Sequence, residues 1–307
     1  MYDIIIIGGG PAGVAAGVYA SRKNMHALLL TKDFGGQAVV STKIENFIGH
    51  ISISGVELAK ILEAQLRAQK HIEIKDGVRV EHVKKIDGGF EVSDASGGAY
   101  QAKTILMTLG SSYKHLDVPG EREYGGKGVF YCATCDAPLM QDKEVVVVGG
   151  GNSGLEAARD LLPFASKITI LEFSPELKGD HVTQALLREN PKVTIITQAQ
   201  TKEIVGNEFV NGLIYIDRTS GIEKTLAVEG VFIAVGMRPN SGSIAELVEM
   251  TSNGNVIADH RTMQTSLKGI WAAGDVTDGA YNQINTAIGE AIKAVLNIYE
   301  LISKKEL

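Results

Sequence analysis

The chain contains two cysteines, Cys132 and Cys135, separated by Ala133 and Thr134. A dithiol at this spacing closes into a small, strained ring that exchanges readily with other thiols. Three chemistries compete for such a pair. A structural zinc needs two further ligands at metal-binding spacing. No second cysteine pair exists and the seven histidines are scattered, so no metal is expected. Inert buried thiols are common for isolated cysteines, but both cysteines of the chain falling at this one spacing argues against that reading. Redox exchange is favoured, with Cys132 and Cys135 as the reacting sulfurs. Asp136 follows directly and is a candidate acid/base if its pKa is raised; the alternative is a helix N-cap.

Two glycine clusters carry the second kind of chemistry. Gly8, Gly10 and Gly13 stand in G-x-G-x-x-G spacing, and Gly149, Gly151 and Gly154 repeat it. Such a turn lets backbone approach a pyrophosphate closely and aims a helix N-terminus at the phosphates. Pro11 and Ala12 belong to the first loop, Asn152 and Ser153 to the second. One match is weak evidence, but a repeat of both motif and context predicts two dinucleotide sites. Roughly 20 residues after each first glycine, an acidic residue accepts from a ribose 2′-hydroxyl and repels a 2′-phosphate. Glu172 holds that place in the second unit, which favours NADH over NADPH, with Lys178 nearby. Thr31 holds it in the first, so the residues alone leave that ligand open.

The elements that position these groups come in two copies. In each, a β-branched run (Ile4–Ile7; Val145–Val148) stops at glycines and leads into an alanine-rich helix and a second apolar strand. That pattern builds a parallel, doubly wound sheet. Further strands are expected at 79–86, 90–93 and 100–102, and again at 202–205, 210–217 and 225–228, separated by Gly-rich turns. The chain is thus read as α/β: two Rossmann-like, three-layer ββα nucleotide-binding domains, the second inserted in the first. Turn-rich segments at Asp117–Gly120 and Asn240–Ser243 place the crossovers, giving 1–117 with 244–307 as one domain and 118–243 as the other. With 307 residues, 44% hydrophobic and 21% charged, the chain has the composition of a globular protein of two domains. A net charge of −6 without a basic stripe argues against a nucleic-acid partner. No apolar run reaches the length of a spanning helix and the N-terminus has no leader pattern, so a soluble, cytoplasmic chain without a membrane role is expected.

With these residues in place, the chain resembles the low-molecular-weight thioredoxin reductase family along essentially its whole length. The family's C-A-T-C-D block stands at Cys132–Asp136, its GGQ at Gly35–Gln37, its EN at Glu45 and Asn46, and its AAGDV at Ala272–Val276. The resemblance implies FAD in the split first domain, contacted by the Gly8 loop, Gly36, Gln37, Asn46 and Gly110. Gly274, Asp275, Gln283 and Ile284 complete that set. It implies a nicotinamide nucleotide in the second domain, with Gly236 beside it, and a homodimer. Cys135 would face the flavin, Cys132 would attack a partner's disulfide, and Asp136 would be the acid/base.

The resemblance also implies that electrons pass from NADH or NADPH through FAD and the disulfide to thioredoxin or another redoxin, the inserted domain swinging about the two crossovers. Where NADPH-dependent members carry HRR, this chain has LEFSPELKGD, similar to the flavoprotein subunit of alkyl hydroperoxide reductase. Because the chain opens at the flavin domain, a separate acceptor protein is expected. Asn282 replaces a basic residue and Ala137 a glycine of the family pattern. Other readings are a flavin NAD(P)H oxidase, a ferredoxin-linked reductase, or a flavin redox sensor.

Overall fold

The β-branched run near the N-terminus forms β1 (Tyr2–Gly9), in which Ile4, Ile5, Ile6 and Ile7 have no exposed surface. Alternate side chains of a strand point to opposite faces, so a continuous apolar run must be covered on both. The computed structural model, which describes residues 1–41 and 43–306, contains both coverings. Ile4 and Ile6 pack with α1 (Pro11–Arg22), α2 (Gly55–Arg67) and α6 (Ile284–Lys304), while Ile5 and Ile7 share a core with Val92, Ile244 and Val256. Each such isoleucine contributes roughly 1.5–3 kcal/mol by leaving water.

β1 lies between β2 (Ala27–Phe34) and β6 (Ala99–Met107), parallel to both, with Ile5 opposite Leu28 and Ile105. β3 (Ile72–Lys75) extends the sheet beyond β2, and β17 (Ile270–Ala272) pairs in parallel with the end of β6. β4 (Val80–Ile86) and β5 (Gly89–Asp94) run antiparallel beside the first half of β6. The strand expected over 100–102 therefore continues five residues further in the same direction. Thr104–Met107 are fully buried, and they leave the meander to enter the parallel sheet.

The second copy has the same logic. β9 (Glu144–Val148), α4 (Asn152–Leu161) and β10 (Lys167–Leu171) form strand, turn, helix and strand. The sheet order is β11-β10-β9-β15-β8, with β11 (Val193–Ile196), β15 (Gly230–Ile233) and β8 (Val129–Phe130) all parallel to their neighbours. Val145 and Val147 face α4 and α5 (His181–Glu189). Val146 and Val148 face an antiparallel meander of β12 (Ala199–Gly206), β13 (Val210–Asp217) and β14 (Glu223–Leu226). Helices, parallel sheet and meander are the three layers of a Rossmann-like ββα unit.

The chain divides into two compact units, Met1–Ser112 with Arg238–Leu307, and Tyr113–Met237 inserted between them. The two crossovers, β7 (Ser111–Tyr113) and β16 (Met237–Pro239), pair as a short ribbon. Among the described residues no helix is long and apolar enough to cross a membrane.

Candidate active site

The two glycine turns have one geometry. Gly8 and Gly149 both take φ +119, a conformation L side chains rarely adopt. A methyl group at Gly13 or Gly154 would collide with the carbonyl of Gly8 or Gly149, so the helix can approach the strand only as glycine. Gly10 and Gly151 cap α1 and α4 without a side-chain hydrogen bond, and next to nothing would meet a Cβ on either. By contrast α2 and α5 are capped by Ser54 and Asp180. The first amides of α1 and α4 are left for something other than protein.

In the first unit, residues far apart in sequence meet around this turn. Gly36 lies 4.0 Å from the position of a Cβ on Gly10, and a Cβ on Gly274 would stand 3.5 Å from that of Ala12. Pro11 is the first residue of α1. Gln37 donates through Nε2 to the Ser111 carbonyl, while its Oε1 is buried without a partner. Asn46 donates to the Gln283 side chain at 3.2 Å, and Asn285 donates to the Asn46 carbonyl at 2.9 Å. Gln283 stands at the N-cap of α6, just ahead of Ile284, and its side chain makes no capping bond to the helix. Thr31 is buried beside Gly9 and donates to the Asp33 carbonyl at 2.5 Å. Gly110 takes φ +61, and its carbonyl accepts from Asn240 N at 3.0 Å.

Burial, and then the charge of Glu290, push the Asp275 carboxyl up to about 6. Glu290 itself accepts from the Gly274 amide at 2.8 Å. Sequence reasoning missed Glu290. Its signal was an acid on the buried stripe of α6, among Ala287, Ala291 and Ala294.

In the second unit, Glu172 stands at the carboxyl end of β10 and is only 8% exposed. One carboxylate oxygen accepts from Gly150 N at 2.5 Å and the other from Ser174 N at 2.7 Å. Each oxygen keeps a further lone pair. The chain after Glu172 folds back over the glycine turn: Lys178 N and Gly179 N both donate to the Gly150 carbonyl, and Asp180 N donates to Asn152. Ser153 is exposed on the first turn of α4. Gly236 takes φ +102 and accepts from Lys114 N at 3.0 Å.

Cys132 and Cys135 form an intrachain disulfide with their Cα atoms 5.3 Å apart. The pair spans α3 (Ala133–Asp136), a single helical turn in which Cys135 N and Asp136 N donate to the Cys132 carbonyl. Thr134 ties this turn to Asp160 of α4 at 3.0 Å. Asp136 is 6% exposed and makes no side-chain cap to the helical turn that follows. Burial alone pushes its carboxyl up to about 7.

On the other side of Cys132, Tyr131 donates its hydroxyl to Glu121 at 2.7 Å. Glu121 is 1% exposed and also accepts from the Leu116 and Asp117 amides, with His115 Nδ1 at 3.0 Å. Although burial opposes ionisation, the Tyr131 hydroxyl, His115 and these amides together hold the Glu121 carboxyl below its ordinary range. Nothing in the spacing of the sequence announced this network.

A protein whose two Rossmann-like units each end a strand on such a turn, and which carries a disulfide across one helical turn, belongs to a defined class. Residues 2–291 match the pyridine nucleotide-disulphide oxidoreductase family, and the chain is a member of it. Members use FAD and NAD(P)H. The residues present fit such groups: two uncapped helix ends, room at Gly10 and Gly151, and a buried, unpaired Gln37 oxygen.

The chain is similar to the F subunit of alkyl hydroperoxide reductase from Pseudomonas putida, 42% identical over 97% of this chain and 58% of that protein. It is 40% identical to a Bacillus subtilis (strain 168) NADH dehydrogenase over 98% of this chain and 58% of that one. The chain thus spans less than two thirds of the curated relatives it matches. Thioredoxin reductase from Streptococcus pyogenes MGAS5005 superposes with a TM-score of 0.92 at 36% identity, covering 99% of both chains.

Proposed function

We propose that the protein is a flavin-dependent disulfide reductase that takes electrons from NADH and delivers them, through Cys132 and Cys135, to the disulfide of a thioredoxin-like protein. The observation that carries this reading is the disulfide across α3, whose last residue, directly after Cys135, is the buried Asp136. In this reading FAD lies on the first unit against Gly10, Gly36, Gln37, Asn46, Asp275 and Gln283. The nicotinamide nucleotide lies on the second against Gly151, Asn152, Glu172 and Gly236. The flavin, when bound, converts a hydride into an electron pair the disulfide can accept.

The chain's own residues do the rest. Two electrons break the S–S bond and leave two sulfur anions. Asp136, whose carboxyl titrates near neutrality, gives a proton to Cys132 while Cys135 stays a thiolate. When the acceptor docks, Asp136 takes that proton back and Cys132 attacks the acceptor's disulfide, forming a mixed disulfide and releasing one thiolate. Cys135 then attacks Cys132, which restores the enzyme's disulfide and frees the reduced acceptor. Glu172 orients a ribose 2′-hydroxyl with its free lone pairs and disfavours a 2′-phosphate.

The 42% identity to an alkyl hydroperoxide reductase subunit supports a second reading of the acceptor, as a peroxidase-linked redoxin. The family resemblance supports a homodimer. Anaerobic rapid-mixing reduction by NADH and by NADPH, with wild type and Cys132→Ser, tests the proposal. Fast bleaching of the flavin by NADH in both proteins, with acceptor reduction only in wild type, is expected. Acceptor reduction that survives Cys132→Ser refutes it, and flavin turnover without acceptor reduction in either protein refutes it in favour of an oxidase or ferredoxin-linked enzyme.

A further inference from the structure

The carboxyl ends of β10 and β11 are stitched together by backbone bonds: Glu172 N donates to Ile196 O, Gln198 N to Ser174 O, and Ala199 N to Glu172 O. Ligands of open α/β sheets bind in the crevice outside such strand ends. At this edge Phe173, the residue after Glu172, is 52% exposed. A lone exposed phenyl ring is ordinary, but this one is held. The Arg218 guanidinium stacks over it with its central carbon 3.8 Å from the ring centroid, and Arg218 Nη1 donates to the Phe173 carbonyl at 2.9 Å.

Arg218 is held in turn. Its backbone N–H donates to Gln198 O at 2.8 Å, and Gln198 is a non-glycine residue at φ +53. Such conformations persist where surrounding structure enforces them and gather at functional sites. Ring and guanidinium therefore form a flat, rigid, partly wetted surface at the strand end where Glu172 presents its carboxylate. Flat π-faces and guanidinium planes are what a nucleobase stacks on.

We propose that Phe173 and Arg218 form the seat for the adenine base of the nucleotide bound by the second unit. The inference rests on the reading of that unit as the nicotinamide-nucleotide domain. Because the guanidinium is committed to Phe173, it serves the base and not a 2′-phosphate, leaving the ribose to Glu172. The seat recognises a purine face, so it takes any adenosine 5′-phosphate.

Calorimetric titration of the flavin-loaded oxidised protein with ADP-ribose, 5′-AMP and ribose 5-phosphate tests the inference. Phe173→Ala and Arg218→Ala should each weaken ADP-ribose and 5′-AMP by about tenfold. Binding of ribose 5-phosphate, the flavin spectrum and the melting temperature should stay as in wild type. Phe173→Tyr, which keeps the flat ring, should bind as wild type does. Unchanged 5′-AMP affinity in both alanine variants overturns the inference, and so does an equal loss for 5′-AMP and ribose 5-phosphate, since the surface would then only shape the loop. If wild type binds none of the three probes, the reading of the second unit falls, and the adenine seat falls with it.

Discussion

Replacing Asp136 with asparagine removes a carboxyl that the fold keeps dry. In the unfolded chain this group loses its proton near 3.8, and in the native state near 7. Between those values the native state holds a proton the unfolded state has released. The contribution is therefore complete below about pH 4 and is lost as pH rises toward 7. At about 1.4 kcal/mol per pH unit, the whole difference is about 4 kcal/mol, of which about 3 kcal/mol falls between pH 5 and pH 8.

Urea denaturation of the oxidised protein at both pH values, for wild type and Asp136→Asn, measures it. Wild type should lose about 3 kcal/mol more than the variant across that interval. In the proposed mechanism the same group serves the dithiol, so alkylation of the reduced pair should inflect near pH 7 in wild type only, and disulfide turnover in the variant should fall roughly 10²- to 10⁴-fold. Identical pH trends for the stability of the two proteins would show that the carboxyl is solvated, and the reasoning from burial would fail.

Gly154→Val should leave the flavin bound and abolish its reduction by NADH, because a side chain there meets the Gly149 carbonyl; absorbance of the purified variant and anaerobic mixing read both parts. Glu172→Gln should narrow the preference for NADH over NADPH by about tenfold in kcat/KM, as an anionic oxygen is replaced by a neutral amide. An unchanged ratio would dissociate Glu172 from cofactor choice. Glu121→Gln should cost roughly 1.5–3 kcal/mol at neutral pH, since a charged acceptor of several buried donors is lost. Because the Glu121 carboxyl is held low, that contribution is present above the ordinary carboxylate range and lost on acidification through its lowered pKa, so wild type and variant should converge in acid denaturations.

The architecture was written in local patterns: β-branched runs, glycine spacing and turn dipeptides are read within about 30 residues of chain. Both copies of the strand–turn–helix unit and both meanders could therefore be placed from sequence. β6 was read short because its second half changes neighbours, and no local signal marks where a strand passes from a meander to a parallel sheet. What sequence could not convey is the meeting of distant polar groups. Asn46 touches Gln283 across 237 positions. Glu290 meets the Gly274 amide, and Glu121 gathers donors from the 115–117 stretch and from Tyr131. Each is an acid or amide whose role depends on which backbone group lies opposite it, a matter of packing and not of spacing. The Arg218–Phe173 stack is of the same kind, joining a turn of the meander to a strand end 45 residues earlier.

The insertion also orders events during synthesis. The second unit is one continuous stretch, whereas the first is finished only when β17 and α6 arrive. At about 5–20 residues per second, that delay after Ser112 is on the order of 10–40 s. Until then Ile4, Ile6, Leu29 and Leu106 lack the cover of Ala291, Ala294, Val295 and Ile298. A nascent chain held at this stage has a complete inserted domain and an open apolar sheet behind it. Chaperone capture or aggregation during expression should therefore track the wait for α6, and slow codons after residue 237 should lower soluble yield more than slow codons within the insert.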